Sequence, residues 1–97
     1  MIRHVVGFRF KPDTTPGQIA QFLAAFRALK SQIPELRSLS VGPNLTDRDA
    51  TCPYILSASF DDMEAVGRYL VHPAHVDALA KHLTPILEQR IIMDVEE

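Results

Sequence analysis

Hydrophobic and polar residues alternate along this chain with two different periods, and the switches between them mark its elements. Ile2, His4, Val6, Phe8 and Phe10 alternate with Arg3, Val5, Gly7, Arg9 and Lys11, the period of two that a strand shows. From Ile19 the period lengthens: Ile19, Phe22, Leu23, Phe26, Leu29 and Ile33 fall on one helical face, and Pro34 closes the run. Ahead of it, Thr15-Pro16-Gly17-Gln18 has the form of a T-x-x-Q capping box with proline at the first helical position. A short strand is expected over Leu36 to Val41, then a loop at Gly42-Pro43-Asn44 and a polar run to Thr51. Tyr54, Leu56, Ala58 and Phe60 alternate with Ile55, Ser57 and Ser59 in a third strand. Asp61, with Glu64 three residues on, opens a second helix whose inner side holds Val66, Tyr69 and Leu70. Pro73 starts a third helix, expected to reach about Leu83 with Val76, Leu79 and Leu83 inward. After a turn at Thr84-Pro85, Ile91, Met93 and Val95 alternate with Ile92, Asp94 and Glu96 in a last strand.

Strands interrupted by helices around one sheet predict an α+β sandwich with the helices on one face. The other face would carry Arg3, Val5, Gly7 and Arg9 on the first strand and Ile55, Ser57 and Ser59 on the third. That mixture is too apolar for a plain solvated face and too polar for a monomer core, so a sheet-to-sheet homodimer is expected. With 97 residues the chain is expected to form a single domain, residues 1–97, small enough for dimerisation to help stabilise it. A net charge of −2 with scattered arginines argues against general nucleic-acid binding. No stretch approaches a membrane span, and Met1-Ile2-Arg3-His4 leads straight into a strand rather than a signal peptide. The single cysteine, Cys52, fits a reducing compartment and the role of a small, partly buried residue, so a cytoplasmic location is expected.

The chemistry concentrates in Tyr69-Leu70-Val71-His72-Pro73-Ala74-His75. The αR region is disfavoured before proline, so His72 ends one helix and caps the next, with Pro73 at its first position and His75 at its third. Tyr69 in a last turn and His75 in a first turn then face each other across one corner. A neutral imidazole beside a phenol makes a general base with a hydrogen-bond donor. The bland alternative has His75 accepting from the cap amide, as Gln does in a capping box, and Tyr69 serving as core. His72-x-x-His75, near Asp77 and His82, has a metal-like spacing, but His72 as a cap leaves the helical face, and no metal site is predicted.

The opening Ile2-Arg-His-Val-Val-Gly-Phe-Arg-Phe-Lys11, the middle Ile33-Pro34-Glu35-Leu36 leading to Val41-Gly42-Pro43-Asn44, and Tyr69 through His75 resemble the stress-responsive dimeric α/β-barrel (Dabb) family. The resemblance implies a ferredoxin-like fold whose four-stranded antiparallel sheet pairs with its twin to close a barrel. It also implies two kinds of function, because the family holds non-catalytic stress proteins as well as a polyketide cyclase that performs an intramolecular aldol reaction. The cyclase's tyrosine–histidine pair falls on Tyr69 and His75, and a further histidine falls on His4. Such a site needs neither metal nor organic cofactor. Its ligand would be a small hydrophobic or polyketide-like molecule, walled by Phe8, Phe22, Leu23, Phe26, Leu56 and Ala58. The sequence departs from the cyclase in smaller pocket residues such as Leu23 and Ala58, and in Tyr54 where the cyclase has a histidine. A non-catalytic dimeric stress or small-ligand-binding protein is the alternative function. A cofactor-free monooxygenase ranks third, by fold analogy.

Overall fold

The strictly alternating N-terminus becomes a central strand, and the remaining elements are arranged around it. In the computed structural model, which describes residues 1–97, the order is β1 (Ile2–Phe10), α1 (Pro16–Gln32), β2 (Ser38–Pro43), β3 (Tyr54–Phe60), α2 (Met63–Val71), α3 (Pro73–Ala78), a π-helical turn (Leu79–Leu83) and β4 (Leu87–Glu96). The strands form one sheet in the order β2-β3-β1-β4, every pair antiparallel. This is the ferredoxin-like arrangement, with all helices on one face.

The start of α1 follows from its first four residues. Thr15 Oγ1 accepts the Gln18 amide at 3.2 Å while Gln18 Oε1 accepts the Thr15 amide at 2.9 Å, so two otherwise orphaned donors are satisfied reciprocally. The helix buries Phe22, Phe26 and Leu29 over the sheet. Phe22 meets Phe8 and Phe10 edge to face, each with ring centroids 5.4 Å apart, and lies 4.9 Å from Phe26. Arg27 adds a polar tie, donating to the Val41 carbonyl at 2.9 Å.

Several expectations change. β2 begins at Ser38 rather than Leu36, because Leu36 turns back into the core, its amide donating to Ile33 at 3.2 Å. The cap of α2 is Asp62, whose Oδ1 accepts the Ala65 amide at 2.8 Å, while Asp61 pairs with Arg37. Ala65 accordingly takes an inner place and Leu70 lies 45% exposed. In the third helix the inner residues are His75 and Ala78, and Val76 is 50% exposed. The bond from His75 back to the Leu70 carbonyl and the packing of this helix on α1 set that orientation. The π-helical turn, closed by the Thr84 amide on the Leu79 carbonyl at 2.9 Å, then returns Leu83 to the core.

The face away from the helices carries Val5, Ile55, Ile91, Met93 and Val95 in register with one another and with Ser57 and Arg3. Met93 and Val95 there are 53% and 59% exposed. The loop between β2 and β3 lays Cys52 over Gly7, where a Cβ would stand 2.6 Å from its Sγ, so only glycine fits that position of β1. No helix is long and apolar enough to cross a membrane.

Candidate active site

The corner between α2 and α3 is fixed by His72. It sits in extended backbone (φ −62, ψ 135), and its amide donates to the Tyr69 carbonyl at 3.1 Å. Its Nδ1 accepts the Ala74 amide at 3.0 Å, which occupies the ring as a cap. Across this corner the rings of Tyr69 and His75 lie 4.4 Å apart at 46°. Both are buried, Tyr69 to 1% and His75 to 8% exposure.

The tautomer of His75 follows from its partner. Nδ1 lies 3.0 Å from the Leu70 carbonyl, which can only accept, so Nδ1 carries the hydrogen and Nε2 of the neutral ring keeps a lone pair. This replaces the capping-box bond considered above: His75 reaches back to α2, not to its own cap. Burial holds its pKa below the usual histidine value, partly offset by the Leu70 bond, with nearby His4, Arg90 and His72 adding to the depression. Burial acts oppositely on Tyr69, pushing its phenol well above the ordinary tyrosine range. At neutral pH the corner therefore holds an unprotonated base beside a protonated donor.

His4 comes to the same place from β1. It is 3% exposed, and its ring is 6.1 Å from that of Tyr69. Its Nδ1 is 2.6 Å from Oδ1 of Asp94, the residue opposite it in the β1–β4 register. A carboxylate accepts, so His4 donates through Nδ1 and Nε2 is left without a partner.

These side chains surround a cavity of about 290 Å³, near the lower end of the range that binds small molecules. Phe8, Phe26 and Leu56 line it. Phe22 does not, being enclosed by Phe8, Phe10 and Phe26. Ala58 is fully covered in the sheet, and Leu23 packs on the flank of the core, so neither reaches the cavity. Leu70, Ile92, Arg90 and Asp94 line it without having been singled out. The signal for Arg90, Ile92 and Asp94 was the pairing of β1 with β4, which sets them opposite Phe8, Val6 and His4. β4 is an edge strand without a helix packed over it, so the cavity opens along it. The only sealed side-chain polar atom without a partner is Thr14 Oγ1. The Tyr69 hydroxyl and the two free Nε2 atoms are therefore not sealed, and all three residues line the cavity. No three His, Cys, Asp or Glu side chains are grouped to hold a metal ion.

A ferredoxin-like sheet with a histidine–tyrosine cavity under its helices defines a recognisable class. The chain belongs to the stress responsive A/B barrel domain (Dabb) family, whose model matches residues 2–97. It is 35% identical over 82 residues to an uncharacterised protein of Streptomyces coelicolor, covering 82% of this chain and 84% of that one. It is 27% identical over 77 residues to olivetolic acid cyclase of Cannabis sativa, covering 77% and 76%. A dimeric ferredoxin-like protein of unknown function from Thermobifida fusca is 30% identical and superposes with a TM-score of 0.87, over 99% of this chain and 90% of that chain.

Proposed function

We propose that this protein is a cofactor-independent acid–base catalyst that cyclises or isomerises a small, enolisable, polyketide-like substrate. The observation that carries the reading is the His75 tautomer: Nδ1 is spent on the Leu70 carbonyl, which leaves Nε2 free on a residue that lines the cavity beside Tyr69. In an aldol closure, Nε2 removes a proton from a carbon flanked by carbonyls. The resulting enolate carbon attacks a distal carbonyl carbon, forming the C–C bond, and the alkoxide takes a proton back from the imidazolium. Tyr69, kept as a phenol by its burial, donates a hydrogen bond to the oxygen on which charge develops. His4, oriented by Asp94, adds a second imidazole at the same wall. The likeness to olivetolic acid cyclase supports this chemistry.

The functional unit in this reading is a homodimer joined through the open sheet face, whose exposed Ile91, Met93 and Val95 gain a partner there. Met93→Asp is expected to convert a dimer to a monomer in light scattering, and a monomeric wild type would contradict the assembly.

The activity test offers a linear trioxo-acyl thioester of N-acetylcysteamine and follows the cyclised product by mass and ultraviolet absorbance. Turnover above the buffer rate is expected, lost in Tyr69→Phe and His75→Ala. A second reading, a non-catalytic small-ligand binder, draws on the same Leu70 bond as a brace of the corner. It predicts saturable binding of the thioester with no turnover in any variant.

A further inference from the structure

Arg90 is an arginine at the cavity with no partner of its own. The guanidinium groups of Arg3, Arg9, Arg27, Arg37 and Arg68 each hold a carboxylate or a backbone carbonyl. Arg90 stands on the helix side of β4, across from Phe8, where no helix covers it. The carboxylate on the same strand face, Asp94, lies four residues away, roughly 13 Å along a strand, and is taken by His4. A mostly apolar cavity thus has a free planar cation at its mouth and its reactive groups further in. Guanidinium matches carboxylate and phosphate with two parallel hydrogen bonds, and it does so better where apolar walls exclude water. The charge also reaches the reaction centre, since Arg90 is among the groups that disfavour protonation of His75.

We infer that Arg90 recognises an anionic group on the substrate, docking it at the cavity mouth while the enolisable carbons lie against Tyr69 and His75. The group is a carboxylate on the acyl chain itself or a phosphate of a carrier thioester. The inference rests on the reading of this cavity as a substrate site, and it adds a specificity: neutral diketones bind, but anionic ones bind better.

Calorimetric titration of the whole protein with succinylacetone (a β-diketone ending in a carboxylate), its methyl ester and coenzyme A tests this. In the wild type the acid is expected to bind about tenfold more tightly than the ester, the scale of one partly exposed charge-assisted pair. Added salt should shrink that ratio. Arg90→Gln should bring the acid down to the level of the ester without moving the ester, and Arg90→Lys should keep part of the preference. Coenzyme A binding that disappears in Arg90→Gln, with acid and ester alike, would assign the anion to the carrier phosphate. Equal binding of acid and ester together with coenzyme A binding indifferent to Arg90 overturns the inference while leaving the cavity reading intact. An acid preference that survives in Arg90→Gln overturns it too. No binding by any of the three removes the cavity reading and this inference with it.

Discussion

The two halves of the helix-covered sheet face are built from similar residues and come out differently. Beneath α1, Phe22 and Leu29 press into a filled core over β1 and β2, with Phe22 meeting Phe8 and Phe10 of β1 edge to face. Beside the short α2–α3 corner, toward the uncovered edge strand β4, a cavity of about 290 Å³ remains between Phe8, His4, Tyr69 and His75. The difference lies in cover rather than composition. A long capped helix supplies a continuous apolar stripe, whereas a helix broken at Pro73 supplies two ring-bearing residues and a gap. Packing dominates the first half and polar placement the second, so substitutions should separate them.

The largest effect on the filled side is expected from Phe22→Ala, which should lower unfolding free energy by about 3–5 kcal/mol in denaturant titration. Denaturation within 1 kcal/mol of wild type, again roughly, would mean that this half is not the core it looks like. On the hollow side, His75→Ala should reduce kcat/KM by ~10²–10⁴-fold. It should cost only about 0.5–1.5 kcal/mol in stability, the worth of the lost bond to Leu70. Tyr69→Phe is the cleaner variant, since no protein group depends on the hydroxyl: activity should fall comparably while the Tm stays put. A Tm that drops with activity would make Tyr69 a brace. Thr15→Ala, far from the cavity, should cost about 0.5–2 kcal/mol through the lost cap and leave turnover unchanged. The smallest effect is a gradual one with pH. His75 is neutral in both folded and unfolded chains above ~6.5; below that the unfolded chain takes up a proton that the folded chain resists. Stability and kcat/KM should therefore both decline with acidification, the activity limb centred below that value, and a limb centred above it would exclude His75 as the base.

The filled half was the more legible in sequence, for a physical reason. Its elements are set by local signals: the alternation of β1, the T-x-x-Q box of α1, the helical stripe from Phe22 to Ile33. The His72 cap and the Tyr69–His75 corner were legible in the same way, because proline constrains its neighbours whatever surrounds them. What escaped depended on tertiary context. Val76 belongs to the apolar set of its helix, yet α3 packs on α1 and His75 reaches back to the Leu70 carbonyl, so His75 and Ala78 turn in and Val76 turns outward. Asp94 and Arg90 sit in an ordinary alternating strand, and only the pairing of β4 with β1 sets them beside His4 and Phe8. Phe22 and Ala58 have the size and polarity of cavity walls, and only their enclosure by neighbours makes them core.

The most direct test of the hollow side is an NMR pH titration of His75 in the folded protein, with and without a neutral β-diketone. The expected result is an Nδ1–H imidazole that titrates below ~6.5 and shifts on adding the ligand. An imidazole that titrates at or above that value and ignores the ligand would contradict a base at the cavity wall, and would leave His75 as a brace between two helices.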